Sequence, residues 1–235
     1  YNKGGEFRKW YGNQDYVVNW KDDGFEIRNI FDSKGKQRSR PQNTEFYFKP
    51  SISWSFISSS NFGVRYYPQG FIFDVAGSSI FPKDDNYDGL TGFLCTPIAP
   101  KLMKILNPTH NSQVGNIEQL PYINIENNVT VKCIEISKQN WDSYETSWEF
   151  TQNPLIRTNQ PTLQQAYTTW NTQNTQAVAD MKHLEEENNR LFINAYGLQD
   201  ELTPDVPDDQ ITLTRADATA DSQRLISYII GCIMG

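Results

Sequence analysis

Cysteine and histidine are scarce: the 235 residues hold three cysteines and two histidines. Cys95, Cys133 and Cys232 are far apart, odd in number and without Cys-x-x-Cys spacing, which excludes a disulfide framework and points to a reduced, cytoplasmic setting. With only His110 and His183 to join them, zinc-ligand spacing is absent. No apolar run is long enough to span a membrane; Leu225 to Met234 has about half the required length. No secretory leader pattern is present. The chain stops inside that apolar run, which reads as the boundary of a fragment. No Pro-Pro pair, no Gly-rich cofactor turn after a strand and no Ser/His/Asp spacing occurs. Phe73-Asp74-Val75-Ala76-Gly77-Ser78 offers one glycine after an extended run, which reads as a strand end and turn. Asp84, Asp85 and Asp88 stand among proline, asparagine and glycine and read as a solvated loop. No metal site is expected.

What is present is a core-forming composition, 37% hydrophobic and 13% aromatic. Net charge is −7, unevenly spread. Residues 1–110 carry 14 Lys and Arg against 11 Asp and Glu, whereas residues 161–235 carry 4 against 11. Phosphate is felt within a Debye length of ~8–10 Å, so the local balance matters more than the total. The N-terminal part can face nucleic acid while the acidic C-terminal part faces away.

Residues 1–87 read as β-rich, with aromatic and β-branched runs at Tyr16 to Trp20, Phe25 to Phe31, Glu45 to Phe48, Ile52 to Ile57 and Phe71 to Val75. Turn signals at Asp22-Asp23-Gly24, Ser33 to Lys36 and Pro68-Gln69-Gly70 separate them. Residues 89–107 read as helical, broken by Pro97 and Pro100 into a short piece and a helix from near Ile98. Further strands are expected around Ile123 and at Val129 to Ile136. From Thr162 the period becomes helical, with Thr162-Leu163-Gln164-Gln165 as capping box and Gly197 as left-handed stop; the polar patch Asn171 to Gln176 is a candidate interruption. Residues 199–213 read as an acidic connector, and a last helix begins near Asp217. The fold class is α+β: a β-rich mixed domain over 1–157, then a long-helix spacer or docking region over 158–235.

Reading DNA requires cations for phosphates and amides or guanidiniums for base edges. Two stretches supply both: Arg8, Lys9 and Asn13 beside Trp10-Tyr11, and the acid-free loop Lys34, Lys36, Arg38, Arg40 followed by Asn43. Ser59 and Asn61 form a third polar loop. Trp10 and Tyr11 read as core.

Several segments resemble one family. Gly4 to Asn13 with Val17 to Trp20, Ser39 to Asn43, Ile52 to Ser55, and Gly70 to Gly77 resemble the recognition region of BREX phage-exclusion adenine methyltransferases (PglX) and related single-chain restriction–modification enzymes. Asn107-Pro108-Thr109, Val114 to Ile117 and Leu120-Pro121 resemble a helix–loop–Leu-Pro signature of target-recognition domains. Trp141 to Phe150, Tyr196 to Leu202, and Ile226-Ser227-Tyr228 with Gly231-Cys232 continue the resemblance to the end. It implies a DNA target-recognition region, with double-stranded DNA and other phage-defence proteins as partners. It also implies that S-adenosylmethionine and the Asn/Asp-Pro-Pro-aromatic motif of adenine methylation lie in a catalytic domain outside this chain, which alone is expected to be inactive. The competing expectation is a protein-interaction module docking other defence proteins.

Overall fold

The computed structural model describes residues 1–57, 61–109 and 111–235. Three short strands form one antiparallel sheet in the order β2-β1-β3: β1 is Ser51–Ser55, β2 Val64–Tyr67 and β3 Gly77–Ile80. Alternation sorts the central strand's side chains. Ile52 and Trp54 are fully buried in a core shared with helices. Ser53 is equally buried, but beneath the N-terminal segment: it donates to the Ser78 carbonyl at 2.8 Å and accepts from the Asn2 amide. Small residues are required on that face, because a Cβ on Gly77 would lie 2.5 Å from Asn2 Oδ1.

Eight helices complete the described fold: α1 (Lys21–Arg28), α2 (Tyr87–Leu94), α3 (Ile98–Leu106), α4 (Val114–Ile117), α5 (Val129–Trp141), α6 (Pro154–Arg157), α7 (Leu163–Tyr196) and α8 (Ala218–Met234). α1 opens on three left-handed residues, Asp22, Asp23 and Gly24, before its helical turn. The break between α2 and α3 falls at Pro97, as its missing N–H and fixed φ dictate.

α7 runs unbroken for 34 residues, about 51 Å at 1.5 Å per residue. Thr162 Oγ1 accepts from the Gln165 amide at 3.3 Å, and Gly197 (φ 66°) closes the helix with Leu198 N–H donating to the Ile193 carbonyl at 3.0 Å. The polar patch within it does not interrupt the helix: five of its residues face solvent and one, Asn174, is used. Asn174 is buried, donating to the Thr214 carbonyl at 2.9 Å and accepting from the Ala216 amide at 2.8 Å. Asn140 on α5 grips Thr214 from the other side, at 3.0 and 2.8 Å, and Asn189 holds the Pro204 carbonyl at 2.9 Å. The acidic connector is thereby strapped down, and its Val206, Ile211 and Leu213 enter the core with Trp10, Cys133 and Met181.

The helices share their cores with the sheet. Phe192 and Ile193, near the end of α7, pack with Ile52, Trp54, Val64 and Phe93. At the other link, Lys9 and Glu185 form an ion pair in which both residues are at most 5% exposed, and Trp10 Nε1 donates to the same carboxylate at 2.7 Å. The region expected to act as a spacer is therefore built into the same body as the sheet.

Several expected strands take other forms. Phe25 to Phe31 is a helical turn leading into a hairpin, Glu45 to Phe48 includes a 3₁₀ turn at Thr44–Phe46, and Phe71 to Val75 makes a single bridge, Asn2 with Phe73. Tyr16 to Trp20 and the stretch around Ile123 are irregular. Val129 to Ile136 is the largest departure. Its apolar-polar alternation suits a strand, yet it is α5, and the helix buries Thr130, Cys133, Ser137, Asn140 and Trp141 while Val131 is left 40% exposed. The helix docks through a mixed face on which Thr130, Ser137 and Asn140 stand between Val129, Cys133 and Trp141, so its apolar residues alone do not mark a helical period. β2 escaped notice because Arg65, 1% exposed, breaks its apolar run.

α2 crosses α5 and α7 at Gly92, where a Cβ would sit 2.5 Å from Thr130 Oγ1 and 2.9 Å from Asn188 Oδ1. Gly92→Ala is expected to lose about 1–3 kcal/mol by overpacking, read as a lower urea midpoint with unchanged slope. Lys9→Met strands the Glu185 carboxylate in the interior and is expected to lose about 3–5 kcal/mol. Adding Glu185→Gln should recover part of that loss, because the buried charge goes with it; no recovery would count against the pair as the cause.

Candidate nucleic-acid interface

The basic loop is a locked hairpin. Phe31 and Gln37 form an antiparallel bridge, and Arg38 N–H donates to the Ile30 carbonyl at 2.7 Å. Asp32 organises the tip: its Oδ1 accepts from the amides of Lys34 and Lys36, each at 2.9 Å. Gly35 (φ 76°) supplies the left-handed residue that the turn needs. With Asp32 spent on backbone, the tip presents its cations outward. Lys34, Lys36, Arg38 and Arg40 are all exposed. Arg38 lies 4.0 Å from Asp32, and no carboxylate among the described residues is within ion-pair distance of Lys34, Lys36 or Arg40.

The hairpin's outgoing strand leads into a cleft of about 1340 Å³, whose lining includes Arg40, Gln42 and Asn43. Lys3 and Lys83 add two more cations to the lining, against the acids Asp74 and Glu118. Asp74 is already engaged: it accepts from the Tyr1 hydroxyl and from the amides of Ala76 and Gly77 at 2.8 and 3.2 Å. One side of the lining is aromatic. Trp20, Tyr47, Phe73, Phe81 and Phe46 form a continuous series of ring contacts, with centroid separations of 5.1, 5.4, 5.3 and 4.8 Å in that order.

The expected site residues thus divide. Lys34, Lys36, Arg38, Arg40 and Asn43 lie on one exposed path from hairpin tip to cleft. Arg8, Lys9 and Asn13 lie elsewhere and turn inward. Arg8 stacks 5.0 Å over Trp141 and donates to the Thr212 carbonyl at 3.2 Å; burial, then the neighbouring Arg65, lowers its pKa. Lys9 is held by Glu185, and Asn13, 8% exposed, donates to the Glu6 carbonyl at 2.9 Å. Trp10 and Tyr11 are buried, as core residues should be. Asn61 is exposed and outside the cleft lining, and Ser59 lies outside the described residues. Sequence reasoning missed Lys3, Lys83 and the aromatic side of the cleft, having assigned Trp20, Phe46, Tyr47 and Phe73 to strands and Phe81 to no element.

The described residues offer little for covalent chemistry. Burial pushes the Cys95 thiol up to about 12 and the Cys133 thiol higher still. No group of three or more His, Cys, Asp or Glu among the described residues is placed to hold a metal ion. Gly77 begins a strand and its Cβ space is filled by Asn2, so the Phe73 to Ser78 turn does not fit a nucleotide or S-adenosylmethionine cradle, which needs a glycine turn opening a helix. No described helix is long and apolar enough to cross a membrane.

No family model matches the chain. Two curated proteins do. Over 246 residues the chain is 39% identical to the adenine-specific methyltransferase PglX of Lacticaseibacillus casei (strain Zhang), covering all of this chain and 20% of that protein. Over 256 residues it is 28% identical to the adenine-specific methyltransferase BrxX of Escherichia coli O9:H4 (strain HS), covering 99% of this chain and again 20% of the relative. The match to the first covers the whole chain, hairpin and cleft included. The chain is homologous, along its whole length, to a region making up a fifth of the adenine-specific methyltransferases PglX and BrxX.

Proposed function

We propose that this chain is the DNA target-recognition region of a site-specific adenine methyltransferase of the BREX phage-exclusion type. The observation that carries the reading is the hairpin. It displays four cations, Lys34, Lys36, Arg38 and Arg40, on a backbone fixed by Asp32, and delivers Asn43 to the cleft beside them. Cations hold phosphates and fix register, while amides and guanidiniums read base edges, so a rigid protrusion bearing both is the unit that recognition needs. Methyl transfer, and the S-adenosylmethionine that supplies the methyl group, are assigned to residues outside this chain. Homology to proteins named as adenine-specific methyltransferases supports DNA as the partner.

A second reading, docking of other defence proteins, is favoured by α8. Its first turn is anchored through buried Asp221, which accepts from Trp170 Nε1 at 3.1 Å. Beyond it Ile226, Ile230, Ile233 and Met234 are all more than half exposed. Such a face suits an apolar partner and not a phosphate backbone.

Salt separates the two. Each phosphate contact contributes about 0.9 to the slope of log affinity against log salt. The quadruple change of Lys34, Lys36, Arg38 and Arg40 to Ala is expected to weaken duplex binding at low salt and to flatten that slope by roughly 3–4. Fluorescence anisotropy across a salt series checks it. Duplex binding with an unchanged slope in the variant would remove the hairpin from the interface, and salt-insensitive association with other proteins alone would favour the second reading.

A further inference from the structure

The cleft beside the hairpin has the wrong shape for reading a closed duplex. A duplex groove is entered by something that protrudes, a helix or a ribbon. The hairpin protrudes; the cleft is a concavity of about 1340 Å³, above the ~300–1,000 Å³ usual for small-molecule sites. Its aromatic side is built from Trp20, Tyr47, Phe73, Phe81 and Phe46, brought together from three separate stretches of chain. Each of these rings is only partly buried, so apolar ring surface remains accessible in the cleft. Rings of this kind gain nothing from phosphates or from paired base edges, but they stack on the open faces of bases that have left the helix.

The polar groups of the lining fit the same occupant. Lys3, Arg40 and Lys83 outnumber Asp74 and Glu118, and Asp74 is committed to Tyr1 and to its own turn. Gln42 and Asn43 place two amides in the lining, each able to donate and accept along a base edge. An apolar peptide would leave these amides and cations without partners. A duplex would leave the aromatic surface unused. A stretch of unpaired nucleotides satisfies both.

We infer that the cleft binds the bases of unpaired DNA, stacking them on the Trp20–Tyr47–Phe73 side while the hairpin holds the adjoining duplex. The inference rests on the proposed DNA-recognition role and adds a second class of contact to it. Unpaired bases in this cleft gain stacking that paired ones cannot, and every base has such a face, so the preference is for distortion and not for sequence.

The test uses the 235-residue chain and three probes of one sequence: a fully paired duplex, the same duplex with a three-nucleotide bulge, and the bulged duplex carrying 2-aminopurine in the bulge. The bulged duplex is expected to bind about 10-fold more tightly than the paired one, and 2-aminopurine fluorescence to fall on binding as the base stacks. Trp20→Leu combined with Tyr47→Leu should abolish that preference and the quenching while leaving paired-duplex affinity near wild type. Trp20→Phe with Tyr47→Phe, which keeps the rings, should retain both. Loss of both preference and paired-duplex binding in the leucine variant is read through the phenylalanine variant, whose retained preference upholds the inference and whose lost preference overturns it. Equal affinity for paired and bulged probes, or a preference that survives in the leucine variant, overturns it and leaves the hairpin reading intact. No binding to any DNA probe overturns both.

Discussion

A buried carboxylate sets the frame of this protein. Glu185 lies in the C-terminal half of α7 with 2% of its surface exposed; from outside its own helix Lys9 neutralises it and Trp10 donates a hydrogen bond to it. A charge in that position is tolerable only when paired and hydrogen-bonded, so α7 and the N-terminal segment cannot separate cheaply. From this link the rest follows. Trp10 N–H and C=O bond to Val64 and Tyr66, which fixes the segment beside β2. Asn2 then closes the polar face of the sheet, and the two ends of the segment, Tyr1 with Lys3 and Tyr16 to Val18 with Trp20, reach the cleft lining.

A second principle runs through the helical half: buried amides stand in for apolar contacts. Asn140, Asn174, Asn188 and Asn189 are all at most 6% exposed, and each bonds backbone outside its own helix. An amide carries donor and acceptor together, so it can hold a strand-like connector that has no sheet to join. This explains how an acidic, proline-containing connector becomes part of the core. Within the polar patch of α7 the same holds for Asn174, which faces a partner backbone, while the residues around it face water on the outer side of the helix.

The same chemistry decided which features were legible. The ends of α7 could be read directly, because a capping threonine and a left-handed glycine act on backbone groups within a few residues. The α2–α3 break at Pro97 was legible for the same reason. α5 was not, because its buried face mixes Thr130, Ser137 and Asn140 with Val129, Cys133 and Trp141, and its polar members look solvated until α2 and α7 are placed against them. Arg8, Lys9 and Asn13 present a DNA-reading composition, yet Lys9 and Asn13 are interior and Arg8 is stacked on Trp141. A lysine's destination depends on whether a carboxylate waits for it 176 positions away.

The basic hairpin stands between these cases. Its turn, its glycine and its run of cations are local and were evident in the residues themselves; that it opens onto an aromatic cleft was not. By itself the sequence determined the kinship, through segments that match in order along the whole chain, and the α+β class; the long helix with its caps and the charge displayed at Lys34 to Arg40 were also legible, because each depends on neighbours within a turn or two of chain. Only the tertiary structure decided which cations are interior, which asparagines carry the connector, and how Trp20, Tyr47, Phe73 and Phe81 line one cleft, because burial and juxtaposition are set by groups remote in sequence and near only after folding.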